Sequence, residues 1–121
     1  MAPVVEVLVA SAHEGVRGQV ALALGGERFE VAEATDTDEA VRHIASRPPA
    51  VLVVDLRLEG RGALALARTL RSQPTTEHVR VLVLTSVDER VPEDADGVDG
   101  VLAIPFTSLA LLRRVESLLG G

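Results

Sequence analysis

The residue best placed to do chemistry is Asp55, which ends the apolar run Val51–Asp55 (VLVVD) and is followed by a loop. A carboxylate in such a position can accept a phosphoryl group or help to bind Mg²⁺, and both tasks need further acidic or cationic groups close by. The loop after the first apolar run supplies only Ser11, Ala12 and His13. The sequence therefore raises the question of whether Asp55 is a working site or what remains of one.

Apolar runs and helical patterns alternate along the chain, and this alternation predicts the elements that position Asp55. The apolar runs recur about every 25 residues, as expected for stacked βαβ units. The predicted strands are Val4–Ala10, Arg28–Glu33, Ala50–Asp55, Val79–Thr85 and Gly100–Ile104. The first, third and fourth are nearly continuous in Val and Leu, a pattern typical of parallel strands that helices cover on both faces. The second alternates polar and apolar residues and is predicted to lie at an edge of the sheet.

Helical patterns fill the intervals between these strands. The predicted helices are Glu14–Leu24, a helix capped by Thr37 that runs to Ser46, Gly62–Ser72, and a last helix capped by Thr107 or Ser108. The interval from Ser86 to Asp99 contains Pro92 and several Asp and Gly residues, so it leaves room for only a short helix. The fold class is therefore α/β, a (βα)₅ doubly wound, five-stranded parallel sheet.

The composition is that of one packed domain spanning residues 1–121. Hydrophobic residues make up 47% of the chain and charged residues 25%, which favours a folded globule over disorder. The formal net charge of -6 disfavours direct binding to nucleic acid or to an anionic membrane. The N-terminus lacks the basic start of a signal peptide, and no apolar run is long enough to cross a bilayer. The absence of cysteine excludes disulfides and thiolate chemistry, and a cytoplasmic location is expected.

The carboxyl edge of the predicted sheet is the place to look for function, because ligands and reactive groups collect there in doubly wound folds. The residues predicted to lie at this edge are Ser11, Ala12, His13, Asp55, Thr85, Ser86, Ile104 and Pro105. No metal site is expected, since the three histidines fall in different segments without the spacing of metal ligands.

Three segments at this edge resemble the receiver domain of two-component response regulators. The segment VVDLRLEGRGALALARTLR resembles the phosphoacceptor segment of that family, and VLVLTS resembles its fourth strand. The segment GVDGVLAIPF resembles its final strand, which ends in Lys-Pro-Phe. The resemblance covers essentially the whole chain and implies a flavodoxin-like, receiver-like fold. It also implies that Asp55 stands at the phosphoacceptor position and that Thr85 is the hydroxyl residue that contacts the phosphoryl group.

The chain departs from the family at the positions that carry the chemistry. Ser11 and Ala12 stand where the family has an acidic pair. Ile104 replaces the family lysine, and Val101 replaces the aromatic switch residue. A pocket without the acidic pair and the lysine is expected to have lost its sources of positive charge. Mg²⁺ binding is therefore expected to be weak or absent, and no cofactor is predicted.

Asp55 in such a pocket is expected to be held by hydrogen bonds rather than to react. Its candidate partners are the side chains of Ser11, Thr85 and Ser86 and nearby backbone N–H groups. His13 could pair with Asp55 as an imidazolium, and the simpler interpretation is a solvated loop residue.

The sequence favours a pseudo-receiver, which is a bacterial signalling and interaction module that is not an enzyme and works without phosphorylation. Two alternatives stay open: a receiver still phosphorylated on Asp55, and a domain that senses a small ligand in a more apolar pocket. A protein partner or a second copy is expected to bind the face of the last strand and last helix, within Asp88–Leu119. Apolar contact there would come from Val101, Leu102 and the run Leu109 to Leu112. A fused output domain is a further candidate partner.

Overall fold

The computed structural model describes residues 3–58, 62–86, 88–92 and 94–120, in which strands and helices alternate as the sequence predicts except between the fourth and fifth strands, where the expected short helix is absent from the described residues. The strands are β1 (Val5–Ala10), β2 (Phe29–Ala34), β3 (Val51–Asp55), β4 (Arg80–Thr85) and β5 (Gly100–Ala103). The helices are α1 (Glu14–Ala23), α2 (Thr37–Ser46), α3 (Ala63–Ser72) and α4 (Ser108–Leu118). None of these helices is long and apolar enough to cross a membrane.

The five strands form one parallel sheet in the order β2-β1-β3-β4-β5. The predicted α/β architecture is confirmed, and the alternating β2 lies at an edge of the sheet as expected. The β1, β3 and β4 strands are almost wholly buried, because helices cover both faces of the sheet. Because all five strands are parallel, their carboxyl ends lie at one edge of the sheet, with β3 between β1 and β4.

Successive side chains along each strand enter opposite faces of the sheet, which produces two apolar layers. On one face, α1 and α4 pack over residues such as Val9 and Val53. On the other face, α2 and α3 pack over residues such as Leu8 and Leu52. The two layers hold the strands in register and fix the edge where Asp55 emerges.

Two helix starts differ from the predictions in detail. Asp36 rather than Thr37 is the N-cap of α2, and its carboxylate accepts a hydrogen bond of 2.8 Å from the Glu39 backbone N–H. The Glu39 side chain in turn accepts from the Thr35 N–H at 2.8 Å, so the carboxylates of two residues satisfy free donors at this end. Gly62 precedes α3 as its N-cap instead of forming its first turn. Thr107 caps α4 as predicted, accepting from the Ala110 N–H at 3.1 Å.

The connection between β4 and β5, residues 86–99, contains turns but no helix in its described residues. Tertiary contacts hold it in place instead. The Asp99 carboxylate accepts hydrogen bonds of 2.8 Å from the Val81 N–H and from the Arg71 guanidinium. Gly97 has φ +85° and lies so close to α3 that an added Cβ would stand 2.2 Å from the Ala67 carbonyl oxygen. This approach is open only to glycine.

Candidate functional site

The carboxyl ends of the strands bring the predicted site residues to one edge of the sheet. Ser11 follows β1 directly, Asp55 ends β3 and Thr85 ends β4. Ile104 follows β5, and its backbone N–H donates to the Thr85 carbonyl at 2.6 Å. Because β1, β3, β4 and β5 are consecutive in the sheet, Asp55 lies between the other positions, as the sequence predicts.

The Asp55 carboxylate is the centre of this edge, and hydrogen bonds engage both of its oxygens. Oδ2 accepts from Ser11 Oγ at 2.9 Å and from Arg57 Nη2 at 2.8 Å. Oδ1 accepts from Arg57 Nε at 2.9 Å and from the Arg57 backbone N–H at 3.0 Å. The Asp55 side chain is only 1% exposed. Four donors thus satisfy a buried anion, three of them from one residue.

Arg57 is the residue at this site that the sequence reasoning missed, and its guanidinium corrects the expectation that the pocket has lost its positive charge. The chain turns after β3, where the Leu58 N–H donates to the Asp55 carbonyl at 2.9 Å. This turn brings the Arg57 backbone N–H and its guanidinium back onto the same carboxylate. The available signal was an arginine two residues after a carboxylate that ends a buried strand.

Thr85 and Ser86 were predicted as partners of Asp55, and in the described residues neither makes a hydrogen bond to it. The Thr85 side chain is buried beside β5, and the Ser86 backbone N–H donates to Glu89 Oε1 at 3.0 Å. Of the predicted partners, Ser11 and a backbone N–H are the two that the structure provides. Asp55 is therefore held from the β1 side and by its own loop, not from β4.

His13 is exposed, and in the described part of the chain its imidazole makes no hydrogen bond or ion pair to Asp55. Its backbone N–H donates to Ser11 Oγ at 3.1 Å, so the Ser11 hydroxyl both donates to Asp55 and accepts from this loop. Arg17 Nη1 donates to the Ser11 carbonyl at 2.8 Å. His13 therefore lies as an exposed residue at the N-cap of α1. Ala12 and Pro105 are also exposed.

The residues at this edge do not fit a divalent cation. Ala12 has no ligand atom, Ser11 offers a neutral hydroxyl already hydrogen-bonded to Asp55, and the guanidinium of Arg57 would repel a metal ion at that carboxylate. Within the described ranges, no group of three or more His, Cys, Asp or Glu side chains could hold a metal ion.

The pKa of Asp55 reflects a balance between burial and hydrogen bonding. Burial raises it, and this is the largest single effect. Hydrogen bonds from the Arg57 side chain, the Arg57 backbone N–H and Ser11, together with the guanidinium charge, outweigh burial, so that the pKa of Asp55 lies below its ordinary value. The same hydrogen bond to Asp55 raises the pKa of Arg57.

The lowered pKa of Asp55 gives a pH dependence of stability. Its contribution is complete above the pKa of the carboxyl in the unfolded chain, about 3.9, and is lost as the pH falls through the lower pKa of the folded state. We expect the free energy of unfolding of the wild type to fall in this range relative to that of an Asp55→Asn variant. Urea titrations at pH values from 7 down to 2.5 measure the difference. A difference between the two proteins that does not change with pH would contradict the assigned pKa direction.

Comparison with known proteins shows which family and which relatives the chain is similar to. The family profile described as response regulator receiver domain matches residues 7–116. Response regulator MprA of Mycobacterium ulcerans is 36% identical over 118 residues, which are 95% of this chain and 50% of that protein. The phosphate regulon transcriptional regulatory protein PhoB of Rhizobium meliloti is 35% identical over 99 residues, 79% of this chain and 44% of that protein. The chain thus spans half or less of these curated relatives.

Solved structures share the fold over nearly all of the chain. A response regulator from Chloroflexus aurantiacus aligns with a TM-score of 0.89 and 27% identity, covering 98% of this chain and 100% of that one. The chemotaxis response regulator CheY4 of Vibrio cholerae aligns with a TM-score of 0.86 and 23% identity, covering 96% and 99%. The second likeness concerns the fold alone.

Proposed function

Because the chain belongs to the response regulator receiver domain family, we propose that it is a pseudo-receiver: a phosphorylation-independent signalling and protein-interaction module of a two-component-type pathway. The observation that carries the proposal is the double hydrogen bond from the Arg57 guanidinium to the Asp55 carboxylate, with the Ser11 hydroxyl on the same group. The guanidinium of Arg57 therefore occupies the place beside Asp55 where phosphoryl transfer would need a cation to neutralise the incoming phosphoryl oxygens.

Phosphoryl transfer to Asp55 would require three things that this edge of the sheet lacks. The carboxylate would have to leave Arg57 to attack phosphorus, although it is almost fully buried against that guanidinium. A cation would have to neutralise the incoming oxygens, and Ala12 provides no ligand for one. Ile104, half-buried after β5, has no charge to place on the phosphoryl group. The loss of reactivity thus has three separate physical causes.

The direct test is exposure of the protein to acetyl phosphate and Mg²⁺, followed by intact-mass analysis. We expect no phosphoryl adduct on the wild type, and the same mass spectrum for Asp55→Asn. An adduct that appears on the wild type and disappears in Asp55→Asn would show that the chain is a working phosphoacceptor, and the proposal would then be wrong.

The proposed partner surface is the β5–α4 face, which we define by Leu102, Leu109 and Leu112. Leu109 is 55% exposed, and Leu102 and Leu112 are half-buried. Val101, which the sequence analysis included, precedes Leu102 in β5, so its side chain enters the opposite face of the sheet. Leu111, which the sequence analysis included, is fully buried in the core and cannot contact a partner. Candidate partners are a second copy, a separate protein, or an output domain joined to this chain.

The edge of β5 itself favours docking through side chains rather than by addition of a strand. Arg114 Nη1 donates to the Val101 carbonyl at 2.6 Å, which occupies a hydrogen-bonding group of the edge strand. Charged side chains over an edge strand discourage strand pairing. Leu109 at the start of α4 is therefore the contact we expect to matter most.

We expect Leu109→Asp to weaken association through this face by about tenfold or more, because a carboxylate would replace an apolar contact. Sedimentation velocity over a range of protein concentrations measures self-association, and thermal melting verifies the fold. Leu22→Asp is the matched control, since Leu22 is 79% exposed on α1. Equal dimer dissociation in the two variants would contradict the assignment of the face. A wild type that stays monomeric throughout would exclude the second copy as the partner.

A further inference from the structure

A cavity of about 340 Å³ opens between α2 and α3, and none of its lining residues belongs to the Asp55 edge of the sheet. On the other face of the sheet the backbones of α1 and α4 approach each other closely, whereas the backbones of α2 and α3 are farther apart. The gap between them is the cavity. Its volume lies at the lower end of the range for sites that bind small molecules.

The floor of the cavity is apolar and belongs to the core. Ile44 of α2 and Leu66 and Leu70 of α3 form it, each less than 5% exposed. Val41 and Ala45 extend the apolar wall along α2. These side chains are held by the sheet beneath them, so the floor is preformed and a ligand would not have to order it.

The rim is polar, and it carries no charge. Thr69, Gln73 and Thr75 are exposed there, and their side chains make no hydrogen bond to any described residue. The Thr76 hydroxyl lies deeper and donates to the Leu70 carbonyl at 2.8 Å, which leaves its oxygen free to accept. Hydroxyl and amide groups both donate and accept, so the rim can bind either kind of polar group on a ligand.

The absence of charge is the feature that selects the ligand. A quarter of the whole chain is charged, yet none of the ten described residues that line the cavity is. An ionic ligand would lose water on the apolar floor and find no counter-charge at the rim. We propose that this cavity is a binding site for an uncharged small molecule with an apolar ring or chain and one hydroxyl or amide group.

The apolar body of the ligand would lie on Ile44, Leu66 and Leu70, and its polar group would meet Thr69, Gln73 or Thr75. Such a ligand would add contacts between α2 and α3, whose backbones lie farther apart than those of α1 and α4. Binding would therefore raise the melting temperature, because the ligand would bind the folded chain and not the unfolded one. The site is independent of phosphorylation and of the β5–α4 face.

The test uses two pairs of probes, each matched in size: benzyl alcohol with benzylammonium, and benzamide with benzoate, the first of each pair neutral and the second charged. Each is titrated into ¹⁵N-labelled protein, and backbone amide shifts are recorded. We expect the neutral probes to shift amides of α2 and α3 saturably, with a dissociation constant on the order of 1 mM, as for ligands of this size. The charged probes should bind at least about tenfold more weakly.

Two variants fill the cavity from opposite walls while leaving its buried floor intact. Ala45→Leu on α2 and Thr69→Leu on α3 replace exposed residues with a good helix former, so both should fold. Each should weaken the neutral probes by about tenfold or more. Ala21→Leu on α1 lies on the other face and should leave their affinity unchanged. The absence of saturable shifts in α2 and α3, equal binding of charged probes, or unchanged affinity in both filled variants would overturn the proposal.

Discussion

Arg57→Met is expected to lower the free energy of unfolding by about 2 kcal/mol at neutral pH, since it leaves a buried carboxylate without its cation. The Asp55 side chain is 1% exposed, and the Arg57 side chain is 38% exposed. Solvent around Arg57 screens the pair, so the expected loss is smaller than for a fully buried ion pair. Urea denaturation at pH 7 measures it.

The loss should depend on pH in a direction that the pair itself sets. Without Arg57, burial is the dominant influence left on Asp55 and raises its pKa, so the carboxyl of the variant takes up a proton more readily in the folded state. In the wild type the pKa is lowered, so stability is lost as the pH falls through it. The two proteins should therefore differ most at neutral pH, and the difference should shrink in acid.

A double-mutant cycle separates the pair from other effects of the substitution. In an Asp55→Asn background, Arg57→Met should cost well under half as much, because no buried charge is left to neutralise. The exposed pair Arg28–Glu116 is the matched control, with an N–O distance of 2.7 Å. Its cycle through Arg28→Met and Glu116→Gln should give a coupling of about 0–1 kcal/mol. A coupling for Asp55 and Arg57 no larger than this would mean that Arg57 does not hold the carboxylate.

The fold could be predicted because its signals are local and repeated. Val and Leu dominate three strands that must be buried on both faces, and this pattern admits few arrangements other than a parallel sheet between helices. Strands β1 and β4 each begin one residue later than predicted, because the burial of a residue and its pairing with a neighbouring strand do not always coincide. Val4 is 49% exposed and lies before β1, while Val79 is buried but precedes the ladder of β4. The N-cap Asp36 was readable from Glu39 three residues later, which is the spacing of a capping box.

The position of the site could be predicted from the sequence, but the positive charge beside Asp55 could not. The order of the strands alone places Ser11, Asp55 and Thr85 at one edge, so these positions followed from the sequence pattern. The role of Arg57 depends on the turn after β3 and on one conformation among many open to a long side chain. A position-by-position comparison with the family does not reveal Arg57 either, because this cation is at a different position in the chain from the missing lysine at position 104.

Restoring the lost groups should restore the chemistry. We expect a variant carrying Ser11→Asp, Ala12→Asp, Ile104→Lys and Arg57→Met to gain a phosphoryl group on Asp55 from acetyl phosphate and Mg²⁺, with acetate as the leaving group. The new carboxylates supply hard oxygen ligands for the metal ion, the lysine neutralises phosphoryl oxygens, and Asp55 is freed from Arg57. Intact-mass analysis detects the adduct, and adding Asp55→Asn to the variant should abolish it.

The restored variant should also depend on Mg²⁺ for stability, which makes the result interpretable without the adduct. Ser11 is fully buried beside Asp55, so a carboxylate at position 11 would repel the one at position 55 until a cation binds between them. Mg²⁺ should raise the melting temperature of the variant and leave that of the wild type unchanged. A variant that binds Mg²⁺ and still forms no adduct would show that restoring the acidic pair and the lysine and removing Arg57 are not sufficient for phosphorylation of Asp55. A variant that gains both properties, beside a wild type that gains neither, would show that the acidic pair, the lysine and the release of Asp55 from Arg57 decide whether this receiver fold reacts.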